Sequence, residues 1–248
     1  MLNNKIAMVV GASTGIGLAT VRRFIAEGAY VYGVGEDCSA FAELKEQFTF
    51  LKCDVTLESD IERVCAEVAD KHHTLDSLVT VASKLFRGGV TQVDAALIEE
   101  ANKHICVMPM LFTKYCTPML KKSANPSITH DVPMSAYMTE LDYLNSSFST
   151  AVINYSRQAC SQIRPIRVNT ILFGIMTDHL LTPEEVAVYD TPEHLAKIPA
   201  GRLGKGSDVA GVNAFLASDK ARYLNSWACA VDGGYYTMNP RSMGNNGI

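Results

Sequence analysis

A C-x-x-C pair is absent from this sequence, as are a long hydrophobic run, an excess of positive charge, an internal repeat and a low-complexity tract. Each absence excludes something. The seven cysteines (Cys38, Cys53, Cys65, Cys106, Cys116, Cys160 and Cys229) are odd in number and scattered, which argues against a disulfide framework and fits reduced thiols serving as small core residues. The first apolar run, IAMVVGA, is broken by glycines within a few residues, too short for a signal peptide or a membrane span. Cytoplasmic residence is the expectation. A net charge of −4 and a pI near 5.9 disfavour contact with a phosphate backbone, so nucleic acid is not an expected partner. With 48% apolar and 19% charged residues and no break in composition, residues 1–248 read as one globular domain.

What is present is an alternation. The runs KIAMVVGA, AYVYGVG, TFLKCDV, DSLVTVAS, PSITH, IRVNTILF and WACAVDGG read as strands. Amphipathic stretches such as IGLATVRRFIAEG, LESDIERVCAEVADKH and AALIEEANKHICVMPMLFTKYCTPMLKK read as helices between them. This order predicts an α/β fold with a seven-stranded, mostly parallel sheet and helices on both faces. The strand runs are continuously apolar, as strands buried on both sides must be. The polar end YYTMNPRSMGNNGI, residues 235–248, is expected to be a tail or an arm reaching a neighbouring subunit.

Between the first strand and the first helix lies VVGASTGIGLATVRRF, where Gly11, Gly15 and Gly17 surround Ser13, Thr14 and Ile16. A sharp turn, close backbone approach to a pyrophosphate and helix N–H groups facing the anion all require glycine there. The spacing G-x-x-x-G-x-G resembles that of the short-chain dehydrogenase/reductase family, and the likeness runs nearly end to end. CDV (Cys53 to Val55) is similar to the family motif whose aspartate, here Asp54, contacts the adenine. IRVNTI is similar to its sixth strand, and Arg202 to Gly234 resembles its C-terminal core and subunit-contact region. The resemblance implies a single Rossmann-type domain, a nicotinamide dinucleotide, a small-molecule substrate and a homo-oligomer, dimer or tetramer. It implies cofactor contacts from Gly11, Ser13, Thr14, Gly15, Ile16, Gly17, Asp54, Val55, Ala82, Gly174 and Met176.

Charge argues for the kind of dinucleotide. The second strand ends in VYGVGEDC, which brings Glu36 and Asp37 to where the adenosine ribose would lie. A carboxylate there accepts hydrogen bonds from ribose hydroxyls. It would repel a 2′-phosphate by roughly 3 kcal/mol per charge pair at ~5 Å and an effective dielectric of ~20. The arginine that phosphate-binding relatives offer around Glu36 or Thr14 is missing, so NAD(H) is expected over NADP(H).

The catalytic half of the family pattern is missing. The resemblance requires a tyrosine as general acid/base, a lysine four residues later that holds the nicotinamide ribose and lowers the tyrosine pKa, a serine at a strand end and often an asparagine one helix earlier. No lysine occurs between Lys122 and Lys197. When the apolar positions of TAVINYSRQACSQI share one helical face, Asn145 and Ser149 fall in the tyrosine and lysine positions. A register with no gap before IRVN puts Tyr143 and Ser147 there instead and turns Arg157 and Gln158 inward. Val132 or Pro133 falls near the serine, and Ile105 at the asparagine. Thr80, Val81, Ala82 and Ser83 replace an Asn-Asn-Ala-Gly turn, and Phe173-Gly174 replaces Pro-Gly.

Stand-ins for the lost groups are His130, Asp131, Tyr137, Asp142, Tyr143, Asn145 and Ser149. A histidine beside a carboxylate can exchange protons near neutral pH, but neighbours on a strand face opposite ways, so His130 and Asp131 pair only if the strand has ended. Asn145 and Ser149, four apart, share a helix face and can hydrogen-bond a ribose or a substrate carbonyl. His72 and His73 have nothing nearby to complete a ligand set, and no metal is expected. Ile105, Met108, Met110, Phe173, Ile175 and Met176 would form an apolar wall suited to a hydrophobic substrate. Three functions stay open. One is an NAD(H)-dependent oxidoreductase on a small hydrophobic carbonyl or alcohol with a rebuilt proton path. The second is a non-redox lyase, dehydratase, isomerase or cyclase. The third is a dinucleotide-binding sensor or partner subunit whose nicotinamide pocket is blocked by Val132, Ile105 and Phe173.

Overall fold

In β1 (Ile6–Val10) alternate side chains leave the backbone on opposite faces, and both faces are apolar: Ala7 and Val9 join one core cluster, Met8 and Val10 another. The same two-sidedness recurs in β2 (Tyr30–Gly35), with Val31 against Tyr32 and Val34. A sheet apolar on both faces has to be covered twice, and that requirement sets the architecture.

The computed structural model describes residues 1–44, 46–137 and 143–238. Its remaining strands are β3 (Phe48–Lys52), β4 (Ser77–Val81), β5 (Ser127–Pro133), β6 (Arg167–Phe173) and β7 (Ala228–Val231). They form one seven-stranded sheet in the order β3-β2-β1-β4-β5-β6-β7, a Rossmann-type arrangement. Every pairing is parallel, where the sequence led us to expect mostly parallel. The helices are α1 (Gly15–Ala26), α2 (Glu58–His72), α3 (Ala95–Asn102), α4 (Met108–Leu120), α5 (Tyr143–Gln162), α6 (Pro183–Tyr189), α7 (Pro192–Leu195), α8 (Gly206–Ala217) and α9 (Tyr235–Met238).

One face is covered by α1 and α8, through Ile16, Val21, Phe24, Val209 and Ala214. The other is covered by α2, α4 and α5, through Ile61, Val64, Phe112, Leu120 and Ala159. Each large side chain so buried contributes about 1.5–3 kcal/mol. Strand order reverses between β1 and β4, so the chain leaves these two strands in opposite directions and a crevice opens beyond their C-terminal ends.

Two elements differ from expectation. The fifth strand continues past PSITH to Pro133, because β6 pairs with it as far as Pro133 opposite Phe173 while β4 stops opposite Asp131. A proline is tolerated where one neighbour has already ended. The long helix after β4 is interrupted by a π turn over Lys103–Val107 between α3 and α4. Pro109, just after it, has no N–H to donate one turn back, and the wider turn falls there. No helix among the described residues is long and apolar enough to cross a membrane. Residues 235–238 form α9, and the rest of the expected tail lies outside the described residues.

Candidate active site

The glycine turn is built as an anion cradle. Gly11 takes φ +76°, and a Cβ there would sit 2.7 Å from the Val81 carbonyl oxygen, so the position admits no side chain. Thr14, the N-cap of α1, donates its hydroxyl to the Gly11 carbonyl at 3.2 Å and does not cap the helix. The start of α1 therefore has no side-chain cap, which fits a pyrophosphate. Ser13 donates to the Asp37 carbonyl and ties the turn to the end of β2.

A cleft of about 430 Å³ runs from this turn along the ends of β2 and β3, bordered by Gly11, Ser13, Thr14, Glu36, Val55 and His104. Its volume lies within the roughly 300–1,000 Å³ usual for small-molecule sites. Glu36 and Asp37 both reach it, yet they are not equivalent. Asp37 accepts hydrogen bonds from the Ser39 N–H (2.9 Å) and Oγ (2.7 Å), which hold its carboxyl below the usual range. Asp54 is likewise committed, accepting from Thr56 Oγ1 at 2.7 Å and Thr56 N–H at 2.9 Å, and these bonds keep it ionised. Lys84 and His104, which the sequence reading passed over, also border the cleft. Lys84 is paired with Glu100, and burial holds the His104 imidazole below its ordinary value.

The other half of the crevice is nearly filled. Beyond β5 and β6 a cavity of only about 60 Å³ is bordered by Met134, Ser135, Asn145, Phe173, Ile175 and His179, among others. Gly174 and Met176 also border it. His179, 3% exposed, has Nε2 2.9 Å from the Ala82 carbonyl oxygen. A carbonyl only accepts, so Nε2 carries the proton and donates, which leaves Nδ1 as a bare lone pair; it has no partner among the described residues. Burial pushes this imidazole down to about 4. The backbone before it is just as close to the glycine turn: a Cβ on Gly15 would lie 2.0 Å from the Asp178 carbonyl oxygen and 2.7 Å from His179 Cβ.

The residues proposed to replace the lost acid are not brought together. Because β5 continues to Pro133, His130 and Asp131 lie within a strand and face opposite sides of the sheet. His130 is fully buried, with Nδ1 2.7 Å from Thr80 Oγ1 and its ring against Tyr155. Asp131 accepts from Asn213 Nδ2 at 2.6 Å on the α8 side. Neither borders the cavity, which corrects the expectation that they could act as a pair.

Along α5 the inward positions are Asn145 and Ser149, both buried, while Ser147 is exposed and Tyr143 is half-buried against Phe86, Ile105 and Leu144. Asn145 is committed to the backbone of Phe86 on both sides, and Ser149 Oγ has no partner among the described residues. Tyr137 is exposed beside Tyr236, and Asp142 lies outside the described residues. Of the expected apolar wall, Phe173, Ile175 and Met176 border the cavity; Met108 packs beneath the sheet and Ile105 joins the Phe86 cluster. Val132 packs with Val152 and Leu172 and does not border the cavity. Sequence reasoning missed Ser135 and His179. The run MTDHLL after Gly174 carried the signal of a histidine beside the strand end, but nothing local shows that it folds back over β4. Among the described residues no group of His, Cys, Asp or Glu is arranged to hold a metal.

Comparison with known proteins agrees with this architecture. A family profile described as enoyl-(acyl carrier protein) reductase matches residues 11–236. The 2,5-dichloro-2,5-cyclohexadiene-1,4-diol dehydrogenase of Sphingobium indicum is 29% identical over 249 aligned residues, covering 94% of this chain and 97% of that protein. The 3-oxoacyl-(acyl-carrier-protein) reductase of Haemophilus influenzae is 27% identical over 253, covering 95% and 99%. The ligand-free aldohexose dehydrogenase of Thermoplasma acidophilum superposes with a TM-score of 0.87 at 23% identity, covering 98% of each chain, a likeness of fold.

Proposed function

Because this chain belongs to the short-chain dehydrogenase/reductase family, we propose that it is an NAD(H)-dependent oxidoreductase of a small hydrophobic carbonyl compound or alcohol, with a proton path rebuilt without the family's tyrosine and lysine. The relatives named above are dehydrogenases and reductases. The observation that carries the reading is the open cleft of about 430 Å³ between the uncapped start of α1 and Glu36. In this reading the turn from Gly11 to Gly17 holds the pyrophosphate, Glu36 the adenosine ribose, and Asp54 and Val55 the adenine edge. Ala82, Gly174 and Met176 line the nicotinamide side. A bound nicotinamide supplies or accepts the hydride.

The chain's own contribution is orientation, worth ~7–11 kcal/mol when reacting groups are well aligned. Ser135 Oγ, buried on the cavity wall and without a partner among the described residues, is the hydroxyl that hydrogen-bonds a substrate oxygen. Its untuned acidity makes turnover slower by about 10²–10⁴ than a matched acid would allow. Met134, Phe173 and Ile175 select a hydrophobic substrate. By family habit the protein is proposed to work as a cytoplasmic homo-oligomer.

Single-turnover loss of NADH absorbance with a panel of small aldehydes and ketones tests the activity. Slow but saturable oxidation by hydrophobic members is expected, and no oxidation by any member overturns it. One observation favours a second reading, a dinucleotide-binding protein without turnover: Asn145 and His179 are both committed to backbone groups inside the nicotinamide half. Tight NADH binding without oxidation is its signature.

A further inference from the structure

The two halves of the crevice are separate cavities, and the separation has an identifiable cause. A dinucleotide lies across the switch point of a doubly wound sheet, its pyrophosphate at the first helix and its second nucleoside beyond the neighbouring strands. Here that switch point is between β1 and β4. The segment after β6 crosses it: Asp178 and His179 rest on Gly15 at the start of α1, just beyond β1, and the His179 ring reaches the Ala82 carbonyl at the end of β4. On one side lies the roomy cleft with Glu36, and on the other the small apolar cavity that His179 itself borders.

The crossing is tethered at three points. Besides the His179 bond, Asp178 Oδ1 accepts from the Gly206 N–H at 2.8 Å, at the start of α8. On the outer side Arg87 pairs with Glu185 at 2.6 Å, joining the loop after β4 to α6. His179 also packs edge-on against Phe173, with ring centres 5.1 Å apart. These contacts seat the side chain through one hydrogen bond, from Nε2, and one ring contact.

We propose that His179 is a specificity determinant: the crevice accepts an adenosine diphosphate moiety as it stands, and accepts a whole dinucleotide only after the His179–Ala82 hydrogen bond has been given up. The inference rests on the reading of the large cleft as an adenosine site. Ligands that end at the pyrophosphate do not meet the segment. Ligands that continue past it bind to a minor, opened form, and their apparent affinity falls by the fraction of protein in that form. Giving up one buried hydrogen bond and its packing lowers that fraction on the order of tenfold.

Calorimetric titration with ADP and with NAD⁺, on the wild type and on His179→Ala and His179→Gln, tests this. In His179→Ala the affinity for NAD⁺ should rise on the order of tenfold while that for ADP stays within about twofold. Gln, whose amide can donate to the same carbonyl, should keep the wild-type ratio. An unchanged ratio in His179→Ala, or ADP and NAD⁺ shifting together, overturns the inference and leaves the adenosine site standing. Absence of ADP binding in the wild type overturns the adenosine site as well.

A second measurement does not depend on the Ala variant folding. The imidazole N–H proton of His179, assigned by its loss in His179→Gln, should be visible and slow to exchange in the free protein and with ADP, and should vanish with saturating NAD⁺. Its persistence in the NAD⁺ complex overturns the proposal.

Discussion

The carboxamide of Asn145 is bonded twice to the backbone of Phe86: Nδ2 donates to the carbonyl oxygen at 2.8 Å, and the Phe86 N–H donates to Oδ1 at 3.3 Å. The inward position of α5 thus holds the loop after β4 in place. Asn145→Ala strands a buried donor and a buried acceptor, and should lower unfolding free energy by ~1–3 kcal/mol. Asn145→Asp, which keeps the acceptor and loses the donor, should lower it too. Urea unfolding of the two variants checks this, and wild-type stability in Asn145→Ala would contradict it.

Stability should depend on pH through buried groups of two kinds. Burial lowers the imidazoles of His130 to about 3 and His179 to about 4. The unfolded chain therefore takes up protons at these sites below about 6.5 that the folded chain refuses, and stability is lost as pH falls through that range. Asp131 acts in the opposite sense. Burial raises its carboxyl to about 7, so its contribution is complete below about 4 and is lost as pH rises toward the folded value. His104, also held down by burial, adds to the same trend, so the imidazoles outweigh the one carboxyl and stability should fall as the medium is acidified from about pH 6.5 toward 4. His130→Asn should make that dependence shallower, and Asp131→Asn should make it steeper. Denaturant unfolding across this range reads the slopes directly.

Glu36 and Asp37 stand side by side at the border of the cleft, but Asp37 is already held by Ser39. Glu36→Ala should weaken NAD⁺ binding on the order of tenfold, the loss of a charged hydrogen-bond partner, and should improve NADP⁺ binding by removing repulsion. Asp37→Ala should leave the ratio of the two nearly unchanged. Equal effects of the two substitutions would show that simple charge, and not the free carboxylate of Glu36, sets the preference.

Ser135→Ala removes the unpartnered hydroxyl from the cavity wall. The single-turnover rate with a hydrophobic carbonyl should fall on the order of 10², with NADH affinity unchanged. An unaltered rate would move the proton path elsewhere.

The β1–turn–α1 unit was legible from sequence because its constraints are local: a glycine that must take positive φ, a neighbour whose hydroxyl is turned away, and an apolar strand on one side. The sheet was legible for the same reason, β1 and β2 being apolar on both faces. The end of β5 was not, because Pro133 reads as a terminator and its tolerance depends on where β4 stops, a fact of the third dimension. His179 was hidden for a related reason. Its partner, Ala82, is 97 positions away in the chain, and neither residue type announces the bond. The absence of lysine between Lys122 and Lys197 could be read from sequence, but the uses found for the vacated inward positions could not.

The most direct test of the account is a calorimetric titration of the intact protein with NAD⁺, NADH, NADP⁺ and NADPH at one ionic strength. Both non-phosphorylated forms should bind, at least about tenfold more tightly than their 2′-phosphorylated counterparts. Equal or tighter binding of NADP(H), or no binding of any of the four, would contradict it.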